Sequence, residues 1–150
     1  MTRTVVAVLA IALFLPLTAQ AGEWTAEQKE VWEFEKACWE AKEAETLTAC
    51  FHEDYKGWVG NIAVLVNKAD RRLIFTRQFE TSETVFLFLK PLSIQIHGNM
   101  AIALYVSGVS NRNKETGKET TSSQRWTDVL LKDGETWKFI TDHARPIGDN

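Results

Sequence analysis

The chain has 150 residues, a formal net charge of −3 at pH 7, and 45% hydrophobic residues that include six tryptophans. With 17 basic against 20 acidic residues and no dense basic stripe, the composition argues against a nucleic-acid-binding protein. The length predicts one folded domain with a real core. The two cysteines and three histidines lack the spacing of metal ligands, so no metal site is predicted. The sequence contains neither a phosphate-binding loop nor a nucleophile elbow, and no cofactor is predicted.

The N-terminal segment has the pattern of an export signal. Arg3 precedes an unbroken apolar run from Val5 to Leu15, and Ala19-Gln20-Ala21 has the small-x-small form of a cleavage site. A membrane anchor is the alternative, but the run has about half of the ~20 residues that span a bilayer. We therefore expect a signal peptide over residues 1–21, and a mature domain over residues 22–150 that is periplasmic or secreted and has no membrane contact.

Two helices are predicted at the start of the mature domain. Thr25 and Gln28 have the spacing of a capping box for a helix from Trp24 to about Ala44. Apolar residues recur along this helix at helical spacing, at Val31, Phe34, Cys38 and Ala41. A short second helix over residues 46–51 is expected to return antiparallel to the first.

The antiparallel return brings the two cysteines of the chain together. An even number of cysteines in an exported protein favours a disulfide, here between Cys38 and Cys50. Two free buried thiols are the alternative. A bridge over this short loop is worth roughly 3 kcal/mol in the chain-entropy model.

The remaining elements are a short strand, a third helix and four long strands. The short strand is predicted over residues 55–59, and Asn67 is the predicted N-cap of a helix over residues 68–79. Four basic residues are expected to form the solvent-facing side of that helix, namely Lys68, Arg71, Arg72 and Arg77. The long strands are predicted over residues 85–97, 100–110, 120–132 and 135–143, with turns at Gly98-Asn99 and Asp133-Gly134.

This order of elements predicts the fold class. Helices come first and strands last, which favours an α+β fold over a doubly wound parallel sheet. Long strands twist and coil, so we expect a strongly curved, mostly antiparallel sheet. The N-terminal helices then pack across its concave side and form a cone whose open end is a pocket.

Several short segments, in this order, resemble the SnoaL-like domains of the nuclear transport factor 2-like superfamily. They are Phe51-His52-Glu53-Asp54-Tyr55 with Gly57-Trp58, Gly98-Asn99-Met100-Ala101, Arg125-Trp126-Thr127-Asp128-Val129, and the hairpin from Lys132 to Lys138. The resemblance implies a cystatin-like α+β cone over residues 22–150. It does not imply one activity, because the superfamily holds isomerases, cyclases, dehydratases, hydrolases and non-enzymatic binders. Its steroid isomerases carry a tyrosine and two acids in a deep pocket, a set that the sequence does not place around Tyr55 or Tyr105.

The last two strands allow a prediction of which side chains face the pocket. Trp137 and Phe139 are expected to face the core, and His143 shares their parity, so it is predicted to point inward at the mouth of the cone. A histidine that caps the core by hydrogen bonds is the alternative. On the preceding strand, the charges of Asp128 and Lys132 indicate an outward face.

That orientation of the preceding strand makes two further predictions. Arg125 points inward, where it contacts a ligand or forms a structural ion pair. Trp126 is exposed on the outer face of the sheet, where it is a candidate contact of a homodimer.

The candidate acid/base group is His52, Asp54 and His143, because imidazole titrates near neutrality and a carboxylate can set its tautomer. The alternative for Asp54 is a turn or capping role. Candidate ligand-binding residues are His143, Arg125 and three tryptophans that can stack on a flat molecule, namely Trp32, Trp39 and Trp58. For the tryptophans, plain core packing is the alternative.

The favoured function is an exported domain that binds a small organic ligand in the cone, as a homodimer through the outer sheet face. The alternative is a cofactor-independent acid/base enzyme, an isomerase, dehydratase or hydrolase acting on a small organic substrate. A second alternative is a partner-binding or structural domain.

Overall fold

The computed structural model describes residues 23–58 and 63–148, so the predicted signal peptide lies outside the described residues. The helices are α1 (Ala26–Trp39), α2 (Ala44–Ala49) and α3 (Lys68–Thr81). The strands are β1 (Lys56–Trp58), β2 (Leu65–Asn67), β3 (Ser82–His97), β4 (Met100–Asn113), β5 (Glu119–Asp133) and β6 (Thr136–Pro146). The α+β class with N-terminal helices is confirmed.

The two predicted helix starts are confirmed by their capping boxes. Thr25 Oγ1 accepts the backbone N–H of Gln28 at 3.2 Å, and the Gln28 side chain accepts the N–H of Thr25 at 2.8 Å. Asn67 and Asp70 make the same reciprocal pair at the start of α3, at 3.0 and 2.9 Å. These bonds satisfy backbone donors that a helix leaves free at its N-terminus.

The predicted disulfide is present between Cys38 at the end of α1 and Cys50 just after α2, with a Cα–Cα distance of 6.2 Å. α1 ends at Trp39, earlier than predicted, and α2 begins at Ala44. A disulfide of this kind fits a protein outside the cytoplasm.

The four long strands form one antiparallel sheet in the order β3-β4-β5-β6. Gly98 and Gly134 sit in the two predicted turns with φ of 63° and 62°, a backbone conformation that glycine adopts without strain. The strands run further than predicted, through Asn113 in β4 and Pro146 in β6. A small second sheet pairs β1 with β2, and β2 is an element that the sequence analysis did not predict.

One irregularity in β6 changes which of its side chains face inward. Val129 pairs with Thr141 but Leu130 pairs with Phe139, so Ile140 is an extra residue in the ladder. Because of this β-bulge, Asp142 is buried and His143 is exposed. The predicted inward direction of His143 is therefore wrong.

The core lies between α1, the segment around Phe51 and the concave face of the sheet. Its largest buried side chains are Trp137, Tyr55, Tyr105, Phe51 and Phe139. Residues 50–52 bond to β6 through Phe139 N–H to Cys50 O at 2.9 Å and His52 N–H to Phe139 O at 2.9 Å. Within residues 23–58 and 63–148, no helix has both the length and the apolar character needed to cross a bilayer.

Candidate functional site in the cone

A cavity of about 480 Å³ opens between α3, the end of α1 and the concave face of the sheet. Aromatic side chains supply most of its wall, namely Trp39, Trp58, Phe75, Phe79, Tyr105 and Trp126. Aliphatic side chains line it at Ile74, Leu87, Leu89 and Val109, and polar ones at Gln78, Ser107, Asn111, Ser122 and Gln124. This composition, largely apolar with a few polar groups, is that of a small-molecule site.

The aromatic wall is ordered by contacts between its own members. The Tyr105 and Trp126 rings are parallel within 2° at 5.9 Å between centroids, and Trp39 lies 5.1 Å from Trp126. Trp126 Nε1 donates a hydrogen bond to Ser107 Oγ at 2.9 Å. Flat surfaces held in this way can receive a flat ligand by stacking.

Behind this wall lies a pair of buried carboxyl groups, Glu35 on α1 and Asp128 on β5. Tyr105 Oη donates to Asp128 Oδ2 at 2.8 Å, and Trp39 Nε1 donates to Glu35 Oε2 at 3.2 Å. The remaining oxygens, Glu35 Oε1 and Asp128 Oδ1, are buried and have no hydrogen-bond partner among the described residues.

Burial and mutual proximity shift the titration of this carboxyl pair. Burial, with the charge of Asp142, raises the pKa of Asp128 to about 8, and burial next to Asp128 raises the pKa of Glu35 well above its usual range. Two carboxylates in contact away from water cannot both ionise cheaply. The pair therefore keeps at least one proton through neutral pH.

A second buried network joins α3 to β6 at the wall of the cavity. The Arg71 guanidinium donates from Nε to Tyr55 Oη at 2.8 Å and from Nη2 to Asp142 Oδ1 at 2.6 Å, while Tyr55 Oη donates to Asp142 Oδ1 at 2.7 Å. Nη2 also donates to the Trp58 carbonyl at 3.2 Å. These hydrogen bonds use Nε and Nη2 of Arg71 and do not use Nη1. Arg71 is 6% exposed, so its predicted place on a solvent-facing helix side is wrong.

Gly57 allows this network to form. A Cβ atom at position 57 would overlap Tyr55 Oη and Asp142 Oδ1. The strand backbone can therefore approach the ion pair only where the side chain is absent.

The structure separates the predicted acid/base residues from the cavity. His52 Nδ1 accepts the backbone N–H of Asp54 at 3.1 Å in an exposed turn, and His143 lies on the outer face of the sheet. Among the described residues that line the cavity, none is His52, Asp54 or His143. The predicted convergence of these three residues on the cone is therefore wrong.

The predicted orientation of β5 is also wrong. Asp128 is fully buried and Arg125 is exposed, while Trp126 faces the cavity and not the outer side of the sheet. Asp128 accepts a hydrogen bond from Tyr105 in the core, and strand alternation then turns Trp126 and Leu130 inward with it. Trp126 is therefore not a contact on the outer face, where the homodimer was expected.

Of the three predicted ligand-binding tryptophans, Trp39 and Trp58 line the cavity. Trp32 lies deeper, edge-on to Tyr105 at 5.7 Å. Glu35 and Arg71 were not predicted as buried residues, although the sequence carries a signal for each. Glu35 lies on the same helical face as Val31 and Cys38, and Arg71 lies on the same face as Phe75. A charged residue within an apolar face of a helix indicates a buried polar group.

The architecture is the nuclear transport factor 2-like, SnoaL-like fold, as the resemblance in the sequence predicted. No protein-family model matches the chain, and a comparison with curated proteins finds no match.

Among solved structures, a ketosteroid isomerase-like protein from Erwinia carotovora atroseptica aligns with a TM-score of 0.71 at 17% identity, over 84% of this chain and 100% of its own. A conserved protein from Planctomyces limnophilus aligns with a TM-score of 0.74 at 12% identity, over 81% and 98% of the two chains. A nuclear transport factor 2-like protein from Cytophaga hutchinsonii aligns at 0.67 and 15% identity, over 82% and 100%. Identities this low establish a shared fold and no shared activity.

Proposed function

We propose that this protein is an exported domain that binds a small, flat organic molecule in the cavity of the cone. The observation that carries the proposal is the cavity of about 480 Å³ with a wall of stacked aromatic rings. That volume lies within the range of roughly 300–1,000 Å³ that small-molecule sites occupy. Trp39 and Trp126, whose rings meet at the wall, are the proposed stacking surfaces.

The polar groups of the cavity support a ligand that carries an oxygen acceptor. Arg71 lines the cavity, and its Nη1 is not used in the bonds that hold Asp142, Tyr55 and Trp58. Of the described side chains in the lining, none is Asp, Glu or His, so the lining offers no counter-charge to a cation. The expected ligand is therefore neutral or anionic.

The test uses a matched pair of variants at adjacent positions of β5. Ser122 lines the cavity, while Ser123 points to the other side of the strand. We expect some members of a panel of naphthalene, anthraquinone and flavonoid compounds to raise the melting temperature and quench tryptophan fluorescence. Ser122→Trp should abolish both effects and Ser123→Trp should retain them. A panel without any stabilising compound, or equal behaviour of the two variants, would contradict the proposal.

A second candidate function is acid/base catalysis without a cofactor, and the Tyr105–Asp128–Glu35 group favours it. Tyr105 lines the cavity, and its hydroxyl donates to Asp128 in the resting structure. When Asp128 carries the proton of the carboxyl pair, Asp128 can donate to Tyr105 Oη instead, and the phenol is then free to donate toward a substrate oxygen. The carboxyl groups are buried behind Tyr105 and act through it. One of the similar structures is named ketosteroid isomerase-like.

This second function predicts turnover of a β,γ-unsaturated cyclic ketone to its conjugated isomer. Tyr105 donates to the carbonyl oxygen, while solvent water takes the proton from the α carbon and returns one to the γ carbon. Ultraviolet absorbance follows the conjugated product. Tyr105→Phe should abolish turnover, whereas His143→Asn should leave it unchanged because His143 lies on the outer face. Absence of turnover in the native protein, or full activity of Tyr105→Phe, argues for binding alone.

A further inference from the structure

The outer face of the sheet, opposite the cavity, carries three cations in one row. Lys90 pairs with Val106, Val106 with Arg125, and Arg125 with Arg145, so the row crosses all four strands. Lys90 and Arg125 adjoin Leu89 and Trp126, which line the cavity, and strand alternation therefore places them on the outer side. Arg145 is the direct cross-strand partner of Arg125, and this register places its side chain on the side of Arg125, although the residue also borders the cavity at its rim. We call Lys90, Arg125 and Arg145 the cation row.

The cation row has no counter-charge in the described part of the chain. None of the ion pairs between described residues includes any of its three members, and all three are exposed. Arg125 and Arg145 are direct cross-strand neighbours, and like charges in that position destabilise a sheet. Arg112, on the same face, shows the usual arrangement, with Glu83 at 3.0 Å and Glu119 at 2.7 Å.

Apolar aromatic side chains lie beside the cation row. Phe88 and Phe86 occupy the next outward positions on β3, and they are 47% and 56% exposed. Arginine with exposed aromatic residues is the composition of protein interfaces. An unopposed pair of guanidinium groups on adjacent strands also matches carboxylates, which the planar fork binds with two parallel hydrogen bonds.

We propose that the cation row is a docking surface for an acidic polypeptide partner, which places carboxylates on Arg125 and Arg145 and an apolar side chain against Phe88. A second copy of this chain fits less well, because it would bring the same cations to the interface. The acids at the end of this face, Glu83 and Glu119, already pair with Arg112.

The first experiment measures the repulsion within the row. Arg125→Thr and Arg145→Thr should each raise the melting temperature at low salt, by about 1–4 °C, because each removes one of two like charges that face each other across adjacent strands. The matched variant Arg112→Thr should lower it or leave it unchanged, since it breaks existing ion pairs. A fall in melting temperature for both Arg125→Thr and Arg145→Thr would show that the cations are already neutralised and would overturn the proposal.

The second experiment measures binding to a defined probe by nuclear magnetic resonance titration. A short synthetic peptide of glutamate and phenylalanine should shift amide signals of β3, β5 and β6, and a glutamine analogue of the peptide should not. Arg125→Gln/Arg145→Gln should weaken binding about tenfold or more, because it removes two charge-assisted contacts, while Arg112→Gln should bind as the native protein does.

Three outcomes of these titrations would overturn the proposal. Binding to phosphatidylglycerol vesicles that depends on the cation row, without peptide binding, would assign the row to a lipid surface. A dimer in analytical ultracentrifugation that Phe88→Asp dissociates and Arg125→Gln/Arg145→Gln leaves intact would assign the face to a second copy. Peptide binding that is insensitive to both arginines would place the acidic partner elsewhere.

Discussion

At the scale of single residues, the protein is organised around buried polar groups. Glu35 and Asp128 are buried carboxyl groups with raised pKa values beneath the aromatic wall, and Arg71 is paired with Asp142 beside it. Each group is costly to bury alone, and each has a hydrogen-bond partner: Trp39 for Glu35, Tyr105 for Asp128, and Asp142 for Arg71. These groups fix the orientation of the side chains that line the cavity, including Trp39 and Tyr105.

The carboxyl pair predicts a specific dependence of stability on pH. In the unfolded chain, carboxyl groups titrate near pH 4, whereas in the folded protein the pKa of Asp128 is about 8 and that of Glu35 is also raised. Between these values the folded state binds more protons than the unfolded state. The free energy of unfolding should therefore fall as pH rises from about 4 to 8.

Glu35→Gln tests this dependence, because its amide can donate to Asp128 Oδ1 without titrating. The variant should show a shallower fall in unfolding free energy between pH 5 and 8, by up to about 1.4 kcal/mol per pH unit, measured by urea denaturation. The control is Glu33→Gln, an exposed position of α1 paired with Lys36, which should keep the native slope. Identical slopes in the native protein and Glu35→Gln would contradict the raised pKa of Glu35.

Gly57 gives a second prediction at this scale. Gly57→Ala should destabilise the protein by about 2 kcal/mol or more, because the added Cβ overlaps the buried Tyr55–Asp142 contact. Gly108→Ala is the control, since the atom nearest to its added Cβ is Ser123 Oγ at 3.9 Å. Chemical denaturation compares the two, and equal stabilities would show that the network tolerates displacement.

At the scale of elements, the β-bulge in β6 explains why Asp142, and not His143 as predicted, faces the interior. Trp137 and Phe139 face the core before the bulge in β6. Because Ile140 is an extra residue, Asp142 also faces the core after the bulge. A strand without the bulge would place His143 inward, as simple alternation predicts. The bulge therefore determines that Arg71 meets a carboxylate and not an imidazole.

The disulfide holds the first two helices at the edge of the cavity. Reduction, or the double variant Cys38→Ala/Cys50→Ala, should cost about 3 kcal/mol of unfolding free energy, because the bridge no longer restricts the unfolded chain. Urea denaturation with and without a reductant measures this. A native protein whose midpoint is the same in both conditions would show that the bridge does not form in solution.

At the scale of the whole molecule, the sequence predicts processing before folding outside the cytoplasm. Expression in an exporting host should yield a chain that begins at Gly22, measured by intact mass spectrometry. Ala21→Arg should block cleavage, because signal peptidase requires a small residue at that position. Recovery of a chain that retains Met1 from the native gene would contradict the predicted signal.

The fold was predictable because it depends on patterns that are local in sequence. Capping boxes at Thr25 and Asn67, alternation in the strands, and the Asp133-Gly134 turn each specify one element. The short strand β2 was missed although Val66 favours a strand, because three residues are too few to show alternation and the strand depends on pairing with β1. Of the side chains that line the cavity, Trp39 and Trp58 were predicted to bind a ligand, and Arg71 and Tyr105 were not.

The amino-acid sequence by itself determined the α+β class, the order of the helices and strands apart from β2, and the cysteine pair. Local propensity, periodicity and turn chemistry act over a few residues and can be read in one dimension. Only the tertiary structure decided which polar groups meet inside. Glu35 meets Asp128 and Arg71 meets Asp142 across long stretches of chain, and a one-residue bulge sets the parity of β6. Such pairings depend on register and burial, which strand alternation alone does not specify.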